Sequence, residues 1–315
     1  MFDDRGIMFH PGEHALQERA GVHRPGWGSA GAGSEIPPVA AEFLAQQRLV
    51  VIAAADDTGA VWATALSGPP GFTRARDEHT VIVDRLPGPP LEGCFDAENE
   101  RDIGMIVIEP ARRRRMRING RAHVDGAGVD AGRLVVNTRQ VYANCPKYIQ
   151  TRTPAAVDLD VVGGVTGSGT LSDDQQRWVD AADTFFIGTR AGDLGTDASH
   201  RGGNPGFTVA SAGRITWPEY AGNGMFMTLG NLLLEPRCGL LFLDWAGGRA
   251  LHVTGRAHID ESPSRAAAVP GAERLVDLMI DRVVEVEGGL PQSWDFGDYF
   301  RHNPPVTPSG WTATP

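Results

Sequence analysis

The sequence predicts a mainly β protein with short helices (α+β), built as two tandem antiparallel barrels. Three observations carry that expectation. The first is an internal repeat. Pro70-Gly71-Phe72-Thr73 stands 135 positions before Pro205-Gly206-Phe207-Thr208, and Gly120-Arg121-Ala122-His123 stands 135 before Gly255-Arg256-Ala257-His258, while Gly104 and Gly239 keep the same offset. One offset held over such a span marks a duplication. The second is spacing: short apolar runs follow one another through turn residues, without the helical crossovers that parallel strands require. The third is the edge problem, which a small closed barrel removes.

The elements follow in order. Residues 1–35 read as an N-terminal arm, with a short helix over His14–Val22 and a Gly/Ser-rich stretch at Trp27–Glu35. Pro37-Pro38 opens a helix to Gln47, with Val39, Phe43 and Leu44 on one side. Strands are expected at Leu49–Ala55, Val61–Leu66, Thr80–Val83, Gly104–Ile108 and Met116–Val124. In the second copy Ser172–Gln175 is a capping box that opens a helix to Ala182. Strands follow at Thr184–Thr189, Asp197–Arg201, Arg214–Pro218, Gly239–Asp244 and Leu251–Ile259. The expected domains are 36–160 and 172–300, joined by a Gly-rich linker at 161–171 and followed by a tail at 301–315. Ser262–Ala272 reads as an insertion in the second copy.

Bulk properties exclude several classes. A formal charge of -10 argues against nucleic acid or an anionic membrane surface as partner. No apolar run approaches the ~20 residues of a membrane span. The acidic start, broken by Pro and Gly, is not expected to be a secretory signal. Three scattered cysteines, Cys94, Cys145 and Cys238, suggest reduced thiols and a cytoplasmic location, and they show no metal-site spacing. Of 29 basic residues only Lys147 is a lysine, which reads either as genome bias or as a position that wants a compact ammonium.

Three stretches carry chemistry. Asp197–Phe207 (DASHRGGNPGF) sets Ser199, His200 and Arg201 before Gly202 and a turn. At period two, Ser199 and Arg201 share a face and His200 takes the other. An Arg beside a hydroxyl suits a phosphate; a polar strand ending in a turn is the alternative. The first copy has Thr64-Ala65-Leu66 here, so the Arg and His belong to the second copy alone. Ile215–Asn231 brings Trp217, Pro218, Glu219 and Tyr220 to Gly222-Asn223-Gly224, which could line a flat ring or simply pack. Tyr142–Arg152 (YANCPKYIQTR) gathers Asn144, Cys145, Lys147 and Tyr148; the second copy offers Leu290–Phe296 without Lys or Cys. Arg112–Arg115 reads as a solvated hairpin tip, and the histidines of the repeated Gly-Arg-Ala-His as structural.

With DASHRGGNPGF, YAGN, Gly230-Asn231, GRAHI and YANCPKYIQTR in view, the chain resembles the predicted flavin-nucleotide-binding branch of the pyridoxamine 5′-phosphate oxidase-like split-barrel superfamily. The resemblance covers roughly residues 37–155 and 172–300. It implies Greek-key split barrels and FMN at the junction of two of them, normally in a homodimer. It also implies roles: Ser199, His200 and Arg201 at the flavin phosphate and ring edge, Trp217–Tyr220 along the ring, and Asn223 at the phosphate. Haem and a deazaflavin occur among relatives as well. Gly224 stands where the family often has a basic residue, and His302–Pro315 lacks the substrate-binding Arg/His pattern of true pyridoxamine phosphate oxidases.

The two copies are therefore expected to form a pseudo-dimer within one chain, as a monomer or homodimer. The first would supply the Asn144, Lys147 and Tyr148 segment to a single site on the second. The expected activity is an FMN-dependent oxidoreductase. It would use NAD(P)H or reduced flavin as electron donor and act on an unidentified small molecule, with His200 as the first acid–base candidate. The alternative is a flavin or haem carrier or sensor.

Overall fold

The computed structural model describes residues 10–22, 33–125, 132–143, 145–158 and 163–306. Helix α1 is Pro11–Arg19 and α2 is Pro38–Gln46. The first sheet takes β1 (Leu49–Ala55), β2 (Val61–Ser67), β3 (Thr73–Asp77), β4 (Thr80–Val83), β5 (Arg101–Glu109), β6 (Arg114–Asp125) and β7 (Arg133–Ala143). Next come β8 (Arg152–Asp158), β9 (Val165–Ser168) and α3 (Asp173–Ala181). The second sheet takes β10 (Thr184–Arg190), β11 (Thr196–Gly202), β12 (Val209–Ser211) and β13 (Arg214–Tyr220). After α4 (Met227–Leu234) it continues with β14 (Arg237–Leu243) and β15 (Ala250–Asp260), then α5 (Pro263–Ala267) and β16 (Ala272–Val286); β17 (Gln292–Phe296) closes the order.

The sheets run β2-β1-β5-β6-β7-β4-β3 and β11-β10-β14-β15-β16-β13-β12, the same path strand for strand. Every pairing described is antiparallel, so the chain is two tandem split barrels. The apolar runs of β1 and β10 now have a reason. In β1, Val50, Ile52 and Ala54 face the first barrel's core, while Leu49, Val51 and Ala53 face a cluster shared by the two halves. In β10, Phe185 and Ile187 face the second core and Phe186 faces the shared cluster. Strands buried on both faces lose the polar half of their alternation.

Glycine lets the halves approach. A Cβ on Gly104 would lie 2.5 Å from the backbone of Asp197 and Ala198, and one on Gly239 would lie 2.4 Å from the carbonyl oxygen of Val61. A Cβ on Gly188 would lie 2.6 Å from that of Ala53, its own sister position. The repeated Gly-Arg-Ala-His has a backbone cause as well. Gly120 and Gly255 sit at equivalent register shifts, where a Cβ would fall 2.1 Å from the Asn137 carbonyl and 2.0 Å from that of Met279.

Several expectations need correction. Helix α1 begins at Pro11 rather than His14, because the His10 side chain caps it and Pro11 occupies its first turn. The expected linker carries β9, which pairs with β16, and β8 pairs with β17 across the halves. The insertion contains α5, and it shifts the partner of Gly255 to Ile280 where that of Gly120 is Thr138. Helix α4 follows directly from the 222–226 loop, a stretch in which no helix was expected. No described helix is long and apolar enough to cross a membrane.

Candidate functional site

A cleft opens where β11, β13 and residues 222–229 of the second half meet β6 and residues 145–148 of the first. Strand β11 carries the second half's charge into it. The Arg201 Nη1–H donates to Ser199 Oγ at 2.8 Å and its Nε–H donates to Glu219 Oε1 at 2.7 Å. Ser199 and Arg201 therefore do share a face. Ser199 is buried behind the cleft, while His200, Arg201 and Gly202 line it.

From the first half, β6 sends in Arg115 and Arg117. The Arg117 Nη1–H donates to Asp197 Oδ2 at 3.1 Å, and its Nη2–H donates to Ser199 Oγ. Tyr142 Oη donates to Asp197 Oδ1 at 3.2 Å. Burial opposes charge on Arg117, but Asp197 beside it raises its pKa above the ordinary arginine value. Arg115 Nη1 lies 2.8 Å from His200 Nδ1. A guanidinium only donates, so His200 Nδ1 accepts and the neutral ring carries its proton on Nε2. That Nε2 is buried without a partner, as are the Nε atoms of Arg115 and Arg117. Burial, then Arg115 and Arg201, hold the His200 pKa well below its ordinary value. The neutral-pH acid–base role expected of His200 does not fit this environment. Burial, with Arg117 and Arg201 nearby, also pushes Arg115 down to about 9.

The crossing segment completes the wall. Lys147 Nζ and Tyr148 Oη both donate to the Ala221 carbonyl, at 3.2 and 3.1 Å. The rings of Tyr148 and Tyr220 lie 5.3 Å apart. Gly202 admits this segment: a Cβ there would stand 2.1 Å from the Tyr148 carbonyl oxygen. Cys145 also lines the cleft, whereas Asn144 lies outside the described residues.

Along β13, Pro218, Glu219 and Tyr220 reach the cleft, as does Asn223 beyond it. Trp217 does not. It is fully buried against Phe185 in the second core, and its indole N–H donates to Glu219 Oε1 at 3.0 Å. Its indole gains more from core burial than from a wet cleft, so it orients Glu219 from behind. Asn223 Oδ1 accepts from the Met225 N–H at 3.2 Å. The first turn of α4 lines the cleft through Met227, Thr228 and Leu229, and no side chain caps it.

The charges do not cancel. Arg117 pairs with Asp197, and Arg201 with Glu219. Arg115, Lys147 and Arg274 line the cleft and make no ion pair among the described residues, against one further lining carboxylate, Glu273. The surplus is close to the charge of a phosphate monoester. The sisters of the β6 and β11 residues differ. Ala250, Ala65 and Leu66 stand where the cleft has Arg115, His200 and Arg201. His252 replaces Arg117, contacts Thr64 Oγ1 at 3.2 Å, and is held neutral by burial, which lowers its pKa to about 4.

Arg115, Arg117, Arg274 and residues 225–229 were not among the expected site residues. The solvated-tip reading holds for Arg112 and Arg114, whose side chains are exposed, and fails for Arg115. The signal was present, because Arg115 and Arg117 differ from Ala250 and His252 by the same asymmetry that singled out His200 and Arg201.

No family model matches the chain, and no curated protein does. Solved structures match part of it. HupZ from Group A Streptococcus is 11% identical, over 38% of this chain and 98% of its own, with a TM-score of 0.31. A Lactobacillus delbrueckii protein described as a candidate pyridoxamine 5′-phosphate oxidase is 16% identical, over 37% of this chain and 94% of its own, with a TM-score of 0.30. A FAD-binding protein from Mesorhizobium loti is 12% identical, over 40% and 99%, with a TM-score of 0.29.

Proposed function

We propose that the cleft binds FMN and that the protein is a flavin-dependent oxidoreductase of the pyridoxamine phosphate oxidase-like type. It would take electrons from a reduced nicotinamide or a reduced flavin and pass them to a small molecule. The observation that carries this reading is the set of cations without an ion pair among the described residues, Arg115, Lys147 and Arg274, in a cleft built by both halves, while the sisters of Arg115 and Arg201 are Ala250 and Leu66. The buried, unpartnered nitrogens of Arg115, Arg117 and His200 fit phosphate oxygens as acceptors. Tyr148, Tyr220 and Phe226 offer aromatic surface for a ring. Bound there, FMN would supply the redox chemistry, and the protein would bind, orient and shield it. One site per chain follows, in a cytoplasmic protein that is a monomeric pseudo-dimer or a homodimer.

A second reading, a flavin or haem carrier or sensor, is favoured by His200. Among the described residues the one histidine lining the cleft is held neutral by burial and by Arg115 and Arg201, so it is not poised to give up a proton near neutrality. The visible spectrum of the protein, purified and after reconstitution, separates flavin from deazaflavin and haem. Bleaching of bound FMN by NADH or NADPH separates enzyme from carrier. FMN affinity unchanged in both Arg115→Met and Lys147→Ala would sink the phosphate assignment.

A further inference from the structure

Helix α1 belongs to neither sheet, yet Gly12, Glu13, Leu16 and Gln17 are buried. It lies on α4 at glycine distance. A Cβ on Gly12 would come within 2.2 Å of the Gly230 carbonyl oxygen, and one on Gly230 within 2.6 Å of the Glu13 nitrogen. Gln17 Nε2 donates to the carbonyls of Gly224 and Met225, at 3.3 and 3.4 Å, and both residues line the cleft. At the other end His10 Nε2 lies 2.7 Å from Asn231 Oδ1, and Asn231 Nδ2 donates to Thr189 Oγ1 of β10 at 2.9 Å. The first half has no helix at the equivalent of α4, so this fastening serves only the charged cleft.

The contact contains a carboxyl group. Glu13 is 1% exposed; Oε2 accepts from the His10 N–H at 2.8 Å, and Oε1 is buried without a partner. The titratable groups around it are His10 at the N-cap, whose Nε2 lies 3.6 Å from Glu13 Oε2, His14 on α1, Asp197 on β11, Arg117 on β6 and Tyr142 on β7. We propose that α1 is a detachable strap: docked, it holds residues 222–229 in the shape that receives the anionic ligand, and loss of the Glu13 proton loosens it. Burial, and to a lesser degree Asp197, raise the Glu13 pKa to about 8, against the pull of the His10 N–H and Arg117. The sign follows. A carboxyl raised in the docked state gives its full contribution below the ordinary Glu range and loses it as pH climbs towards about 8, whereas His10, whose pKa burial lowers, weakens docking only as pH falls below its ordinary 6.5. Between 6.5 and about 8 the docking constant falls about tenfold per pH unit.

The test is amide hydrogen exchange on the full chain from pH 5.5 to 8.5, corrected for intrinsic rates, with FMN affinity measured in parallel. In the wild type, protection of 11–19 and 222–234 should fall together as pH rises. In Glu13→Gln it should be higher at pH 7.5 and flat with pH above about 6.5, the ordinary histidine value. Gln17→Ala should lower protection of 222–226 with Glu13 intact, which serves as the second variant should Glu13→Gln fold poorly. Protection of 11–19 that does not depend on pH, or that falls while 222–234 stays unchanged, overturns the strap. The exchange readout stands apart from the FMN reading on which the ligand half of the proposal rests. Linked protection without FMN binding at any pH overturns that reading and leaves the strap in place.

Discussion

Arg117 and Arg115 lie two residues apart on one strand and have different energetics. Arg117 is neutralised by Asp197, so Asp197→Ala strands a buried guanidinium and should destabilise the protein by about 3–5 kcal/mol in urea unfolding. Arg115 has no carboxylate to strand. Arg115→Met removes a buried charge that has no counter-ion but also the donor to His200 Nδ1, so it should cost less stability than Asp197→Ala, while FMN affinity falls about tenfold or more, the loss of roughly 1.4 kcal/mol expected for a charge-assisted hydrogen bond. Equal stability losses in the two variants would contradict this division. The buried histidine at the sister position makes a pH prediction. Burial lowers the His252 pKa to about 4, so the stability it contributes is present above the ordinary value of 6.5 and lost as pH falls towards 4. Unfolding free energy should drop by up to ~1.4 kcal/mol per pH unit across that window, and His252→Gln should flatten the slope.

At the scale of elements, the strands that were legible are those whose patterns survive in both copies. β1 and β10 are apolar runs between turns, and the Pro-Gly-Phe-Thr and Gly-Arg-Ala-His repeats mark backbone that tolerates no other solution. Helix α4 was illegible because Gly230-Asn231 reads as a breaker; Gly230 is needed only because α1 lies against it, a contact that spacing in the chain does not encode. The site divided in the same way. His200, Arg201 and Lys147 stood out by differing from their sisters, whereas Trp217 looked like a ring partner until the strand's inward face was known. Gly202 links element to site, since the segment carrying Lys147 and Tyr148 passes within a Cβ's reach of it. Gly202→Ala must displace that segment. It should lower FMN affinity more than Lys147→Ala alone, because it moves the lysine and the tyrosine together. Titration of both variants decides this, and a Gly202→Ala loss no larger than that of Lys147→Ala would place the segment's contribution elsewhere.

For the whole molecule, the duplication sets a geometric constraint that a single site does not. Sister residues meet where the two barrels are related by their pseudo-symmetry, and Ala53 and Gly188 are such a pair: the one methyl at that contact belongs to Ala53, and Gly188 leaves room for it. Two methyls cannot be held there, because the second Cβ would lie 2.6 Å from the first. Gly188→Ala should therefore overpack the junction and destabilise the chain by ~1–3 kcal/mol. The symmetry makes a stronger demand. Moving the methyl to the other half, with Ala53→Gly added to Gly188→Ala, restores one methyl to the contact. The double variant should be more stable than Gly188→Ala by at least ~1 kcal/mol, even though glycine in a strand is itself unfavourable. Urea unfolding of the two single variants and the double closes the cycle. If the effects simply add, the two residues do not compete for one space and the barrels are not packed about this pair. A favourable coupling would show that the halves are held at a spacing set by one methyl, the spacing that also brings Arg115 of the first half to His200 of the second.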